Sequence, residues 1–178
     1  MGRKTTTPGN GPKAPVTLTP AAGLAAAEPL RTLGWMRQAH QQQLALCGEL
    51  EAIADSLPAN IDRQQCLLAA ARLEPLIRNV HHYEENTLFP WLRRRNAADD
   101  DLARTLHRLT SEHCEDACFA EELTEALLIL GSGGGANMDA VGYMLRGFFE
   151  GLRRHIAFER EHLLGAYSDD EIVMPYPL

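Results

Sequence analysis

HIAFE, residues 155–159, sets a histidine and a glutamate four positions apart, His155 and Glu159. On a helix that spacing puts both side chains on one side, so an imidazole and a carboxylate can converge on one point. The same pair stands at His81 and Glu85 within HHYEE, residues 81–85. Each pair follows a single histidine at a similar distance: His40 lies 41 residues before His81, and His113 lies 42 before His155. A lone histidine, a long gap and then His-x-x-x-Glu, written twice, reads as a metal site built from two similar halves folded face to face.

The surrounding sequence supplies the helices. From about Pro29 to Leu57, the residues Leu33, Met36, His40, Leu44, Cys47, Leu50 and Ala54 step by three or four, an amphipathic stripe. Pro58 and Asn60 end it. A second segment runs from about Ile61 to Arg95 with Leu67, Ala71, Ile77, His81, Glu85, Leu88 and Leu92 in phase. Pro75 and Pro90 lie inside it, which predicts a kink near the first and an irregular end after the second. A third runs from about Asp99 to Leu130 through Leu102, Leu106, Leu109, His113, Ala117 and Ala120. After the turn Gly131-Ser-Gly-Gly-Gly135, Asn137 is a fitting N-cap for a fourth segment, which reaches about Ala166. Arg93–Arg95 closes the second segment and Asp99–Asp101 opens the third, charges that complement helix dipoles.

Short connections predict an all-α, up-down-up-down four-helix bundle over residues 29–166. A disordered tail over 1–28 precedes it and a C-terminal tail over 167–178 follows. In such a bundle, helix rise puts His40, His81, His113 and His155 all roughly 25–30 Å from the same end, at one level. An apolar interior holding four imidazoles and two carboxylates needs them paired, because each unpaired polar group costs kilocalories. A bound metal supplies that pairing. A buried His/Glu hydrogen-bond network is the competing reading.

Composition narrows the rest. The net charge of -7 argues against nucleic acid as a partner. No apolar run is long enough to span a bilayer, so no membrane partner is expected. The first residues lack the apolar centre of a secretory signal. Cys47, Cys66, Cys114 and Cys118 then fit reduced thiols in a cytoplasmic protein. Cys114 and Cys118, one turn apart beside His113, would need further ligands to make a zinc site.

Four stretches, LGWMRQAHQQQLALCGELEAIA (33–54), HHYEENTLFPWLRRR (81–95), LTSEHCEDA (109–117) and LRRHIAFEREHLLGAY (152–167), resemble the hemerythrin-like, or HHE cation-binding, domains. EENTLFP and HIAFE carry the resemblance most specifically. It implies a four-helix bundle around a non-haem di-iron centre, with two Fe ions for which Mn or Zn could substitute. By resemblance His40, His81, His113 and His155 are terminal ligands and Glu85 and Glu159 bridge the ions. Oxygen-carrying relatives have a fifth histidine one turn after the third-helix one, where this chain has Ala117. That leaves an open position or a substitute ligand, for which Glu84, His82 and His162 are the residues to consider.

The function expected is binding, sensing of or reaction with a small oxidant or gas: O₂, peroxide or NO. A non-catalytic iron-binding or sensing domain is the alternative. A ferritin-like di-iron oxygenase is less well supported, since it needs two Glu-x-x-His motifs and Glu159 to His162 supplies one. A phosphotransfer bundle needs an exposed histidine rather than four in phase with the core.

Overall fold

The computed structural model describes residues 1–2 and 31–173. The expected tail over 1–28 lies outside them apart from Met1 and Gly2, as do residues 174–178. The described chain is almost wholly helical: α1 (Leu33–Ser56), α2 (Arg63–Tyr83), a π-helical turn (Glu84–Leu88), α3 (Phe89–Arg95), α4 (Asp100–Gly131) and α5 (Met138–His162). α2, the π turn and α3 run on without a break, so the chain makes four long arms. α1 packs on α2 and α5, and α4 packs on α2 and α5, which closes the arms around a common interior.

Each long helix starts at a side-chain cap that the sequence supplies. Thr32, Asp62, Asp99 and Asn137 accept hydrogen bonds from the backbone N–H of Trp35, Gln65, Leu102 and Ala140. Arg93–Arg95 fills the last turn of α3, and Asp100 and Asp101 the first of α4, as the dipole argument requires. At the far end of α4 the chain turns through Gly133, whose φ of 79° suits glycine. Pro75 lies inside α2 without ending it. The irregularity expected after Pro90 comes before it instead. Phe89 N–H bonds Glu84 O, five residues back, and Pro90, which has no N–H, sits in the first turn of α3.

The interior has three layers. One end is a largely aliphatic cluster from all four arms, including Leu50, Ile53, Leu73, Leu127, Leu145 and Leu152. The other end is richer in aromatics, with Met36, Tyr83, Phe89, Trp91, Leu109 and Leu163. Between them along every arm lie buried polar residues: His40, His81, Glu84, His113, His155 and Glu159.

The segment after α5, expected as a tail, folds back. β2 (Ile172–Val173) pairs antiparallel with β1 (Arg31–Thr32), and Val173 is fully buried. Arg37 on α1 donates to the carbonyls of Leu164 and Tyr167 and pairs with Asp169 at 2.6 Å. This closure ties the start of α1 to the chain beyond α5, beside the aromatic layer.

Candidate metal centre

The middle layer is built by one or two residues from each arm. α1 contributes His40, α2 His81, the π turn Glu84, α4 His113, and α5 both His155 and Glu159. Their burial is near complete: His40 and Glu84 are 0 % exposed, His113 and Glu159 2 %, His81 5 % and His155 9 %.

They fall into two sets that share one carboxylate. His81, Glu84, His113 and His155 each offer a donor atom within 4.8 Å of the others, and so do His40, Glu84 and Glu159. The first set is rich in nitrogen, the second in oxygen. Within them the His81 and His113 rings stack at 3.9 Å with planes 6° apart, and the His155 ring lies 5.1 Å from that of His113. His40 Nε2 sits 3.2 Å from Glu159 Oε2 and 3.7 Å from Glu84 Oε1. His113 Nε2 lies 3.4 Å from Glu84 Oε2, and His155 Nε2 3.4 Å from Glu159 Oε1.

These separations bring lone pairs together without satisfying them. Both oxygens of Glu84, both ring nitrogens of His81, Nε2 of His113 and His155 and Oε1 of Glu159 have no hydrogen-bond partner. Leaving such a group buried and unpaired costs about 1–3 kcal/mol. A cluster of orphaned donor atoms aimed at two common points suits cations, and imidazole with carboxylate suits Fe, Mn or Zn over Ca or Mg.

Electrostatics sorts the groups further. Burial, helped by the neighbouring imidazoles His113 and His155, pushes His81 down to about 3, and burial also lowers His113. Both rings are therefore neutral near pH 7, the form that binds a metal. Burial pulls His155 down too, but the nearby carboxylates of Glu159, Asp116 and Glu112 together outweigh that and raise it. The carboxylates move oppositely. Burial and the charge of Glu159 raise Glu84 well above its usual range. Burial would also raise Glu159, yet His155 and His40 hold it low. Their surroundings push the two apart, Glu84 toward its neutral form and Glu159 toward its charged one.

The remaining residues singled out by sequence stand elsewhere. Glu85 is at the rim, its side chain 35 % exposed, with Oε1 2.9 Å from His113 Nδ1. Among the residues considered as substitutes, Glu84 occupies the centre, while His82 and His162 are exposed on the outside. His82 bonds Asn86, and His162 packs its ring 4.6 Å from Phe158. Cys114 and Cys118 are free and exposed, outside both donor sets.

That Glu84 rather than Glu85 lies in the buried layer has a geometric cause. From His81, an ideal helix sets the third following residue about 60° to one side and the fourth about 40° to the other. Both glutamates qualify by spacing. His81 leans toward α4, where it stacks on His113. Glu84 lies toward α1, 3.7 Å from His40, and Glu85 lies beside His113 with its side chain 35 % exposed. Two grooves flank the layer. The one between α2 and α4 has a volume of 570 Å³ and is lined by His81, Glu85, His113, Cys114 and Ala117 among others. The one between α4 and α5 measures 420 Å³ and carries Glu112, Glu115, Asp116 and His155. Burial raises the Asp116 carboxyl. Sequence periodicity gave no sign of either groove, because both form where side chains of two arms fall short of each other.

No helix of the described chain is long and apolar enough to cross a membrane. Residues 31–167 match the family model of the hemerythrin HHE cation binding domain. No curated protein and no solved structure matches the chain.

Proposed function

The chain belongs to the hemerythrin HHE cation-binding family, and from that footing we propose that it holds two iron ions in an up-down-up-down bundle and reacts with, or senses, O₂, peroxide or NO. The observation that carries the reading is Glu84: wholly buried, common to both donor sets, with neither oxygen hydrogen-bonded. A carboxylate so placed can serve two cations at once. His81, His113 and His155 would hold one ion with it, and His40 and Glu159 the other. Mn or Zn could take the place of iron in such donor sets.

The iron pair would supply redox and Lewis-acid chemistry. The protein's own contribution is to bind, orient and keep dry. Neutral His81 and His113 present lone pairs without losing a proton. The apolar layers above and below exclude water from the long axis. Ala117, on the groove that reaches His81 and His113, leaves space one turn beyond His113 for a small ligand to approach. Nucleic acid and membranes are not among the partners, and four free thiols fit a reducing cytoplasm.

Iron analysis after iron-replete growth, followed by stopped-flow mixing of the anaerobically reduced protein with O₂, tests this. The expected results are about two irons per chain and rapid oxidation. An iron-free protein that takes up none on anaerobic reconstitution would overturn it. If iron binds but O₂, peroxide and NO leave its optical spectrum unchanged, the role is iron binding without reaction.

A further inference from the structure

The rim carboxylate Glu85 belongs to neither donor set, yet it makes one of the shortest polar contacts to a member of one. Its Oε1 lies 2.9 Å from His113 Nδ1. A carboxylate oxygen accepts, so Nδ1–H donates. The proton of the neutral ring is then fixed on Nδ1, and the Nε2 lone pair faces inward, where Glu84 Oε2 lies 3.4 Å away. Ring stacking against His81 at 3.9 Å and Phe89 at 5.6 Å holds the same plane from both sides. The other imidazoles of that set lack such a hold. His81 has no partner on either nitrogen, and His155 Nδ1 is 3.6 Å from Glu112, beyond a hydrogen bond.

We propose that Glu85 is a positioning residue, which fixes the tautomer and ring orientation of His113 from outside the three-histidine site and so raises that site's affinity for a transition-metal ion. The inference rests on the metal-binding reading above. Adjacent glutamates then divide the work. Glu84 enters the centre, and Glu85 leans on one of its ligands from the solvent side of the α2/α4 groove. Such outer partners make an imidazole a better and better-aimed ligand, and their loss typically weakens metal binding 10- to 100-fold.

Zinc titration of the wild-type chain, Glu85→Ala and Glu85→Gln, with NMR of the His113 Nδ1–H in the zinc-loaded proteins, tests it. Glu85→Ala should keep the wild-type stoichiometry and bind its tighter ion about 10- to 100-fold more weakly. Its Nδ1–H signal should lose its downfield, slowly exchanging character. Glu85→Gln, which keeps an acceptor oxygen but no charge, should fall between the two in affinity and retain the signal. A lost ion at saturating zinc in Glu85→Ala would make Glu85 a ligand and overturn the proposal. Unchanged affinity with an unchanged signal would overturn it too. If the wild-type chain itself takes up neither zinc nor iron, the metal reading falls and this inference with it, an outcome distinct from both.

Discussion

The two His-Glu segments look alike in sequence and differ in the fold. In α5 the helix is regular from His155 through Glu159, and the glutamate four positions on reaches the centre at 2 % exposure. In the second arm the helix widens into a π turn at Glu84, the residue three positions on reaches the centre, and the one four positions on stays at the rim. Each segment delivers one imidazole and one carboxylate to the same layer. The difference teaches that spacing assigns a face and the lean of the histidine assigns the residue. α5 faces the centre squarely, whereas His81 is drawn sideways onto His113.

The harshest way to break the comparison is to remove one residue from each segment. Deleting Ala157 from α5 rotates everything beyond it by about 100°. Glu159, Leu163 and Leu164, all buried, would leave the interior together. Loss of the cooperative thermal transition is expected. Deleting Asn86, an exposed residue inside the π turn, lets the turn close as an ordinary α turn and leaves the register of α2 before it untouched. A cooperative melt should survive, lowered by several degrees. Equal damage from the two deletions would show that the π turn is no reservoir of an extra residue.

Next in size is the loss of metal. Glu84 serves both donor sets and Glu159 one. Glu84→Ala should therefore abolish binding of both ions, and Glu159→Ala mainly that of the His40 site, leaving about one ion per chain. His113→Ala should remove the other. Metal-to-protein ratios after equilibrium dialysis measure all three. Loss of both ions in Glu159→Ala would restore equal bridging roles to the two segments.

Much of this was legible in the sequence, for reasons that stop at identifiable residues. The helical stripes, with Asn137 as a cap and the acidic run Asp99–Asp101 opening the third, located four arms because periodicity and end signals are local properties. His40, His81, His113 and His155 stood out because helix rise converts equal spacing into equal height. The choice between Glu84 and Glu85 was not legible, since it depends on how His81 meets a residue from another arm. Nor was the β1–β2 closure, because strands of two residues carry no alternation to read. Proline chemistry predicted a disturbance after Pro90, and it lies before it, in the π turn Glu84–Leu88. The missing N–H lies at residue 90, while the wide turn that accommodates it lies before.

A subtler contrast is in pH. In protein stripped of metal by chelation, Glu84 is raised by burial and by Glu159, so its contribution to stability is present below its ordinary value of 4.5 and lost as pH rises through the folded value. Glu159 is lowered, because its contacts with His155 and His40 outweigh burial. Its contribution is present above 4.5 and lost as pH falls. Neutralising each should act oppositely near pH 7.5. Glu84→Gln should stabilise the metal-free protein and Glu159→Gln destabilise it, each by roughly 1–3 kcal/mol. His81, pushed down to about 3 by burial, adds an acid limb to both: stability falls as pH drops below about 6.5. Urea denaturation across pH 4–8 measures these slopes. The same sign for the two Gln variants would mean that the two surroundings do not push the carboxylates in opposite directions.

The smallest expected effect concerns the histidine that flanks each segment. His82 follows His81 by one residue, and His162 follows Glu159 by three. Both were candidates to replace the imidazole absent at Ala117, and both face outward. His82 is tied to Asn86 by a 3.1 Å contact and His162 lies against Phe158. To reach the layer, His82 would have to turn about 100° around its helix axis, and His162 would have to bring in the last, solvent-facing turn of α5. His82→Ala and His162→Ala should therefore leave the metal stoichiometry unchanged and shift stability by no more than about 0.5 kcal/mol. Parallel metal analysis and thermal melts check both. A lost ion in His162→Ala alone would mean that the end of α5 bends inward on loading, and that the regular segment, rather than the one with the π turn, adapts to the metal.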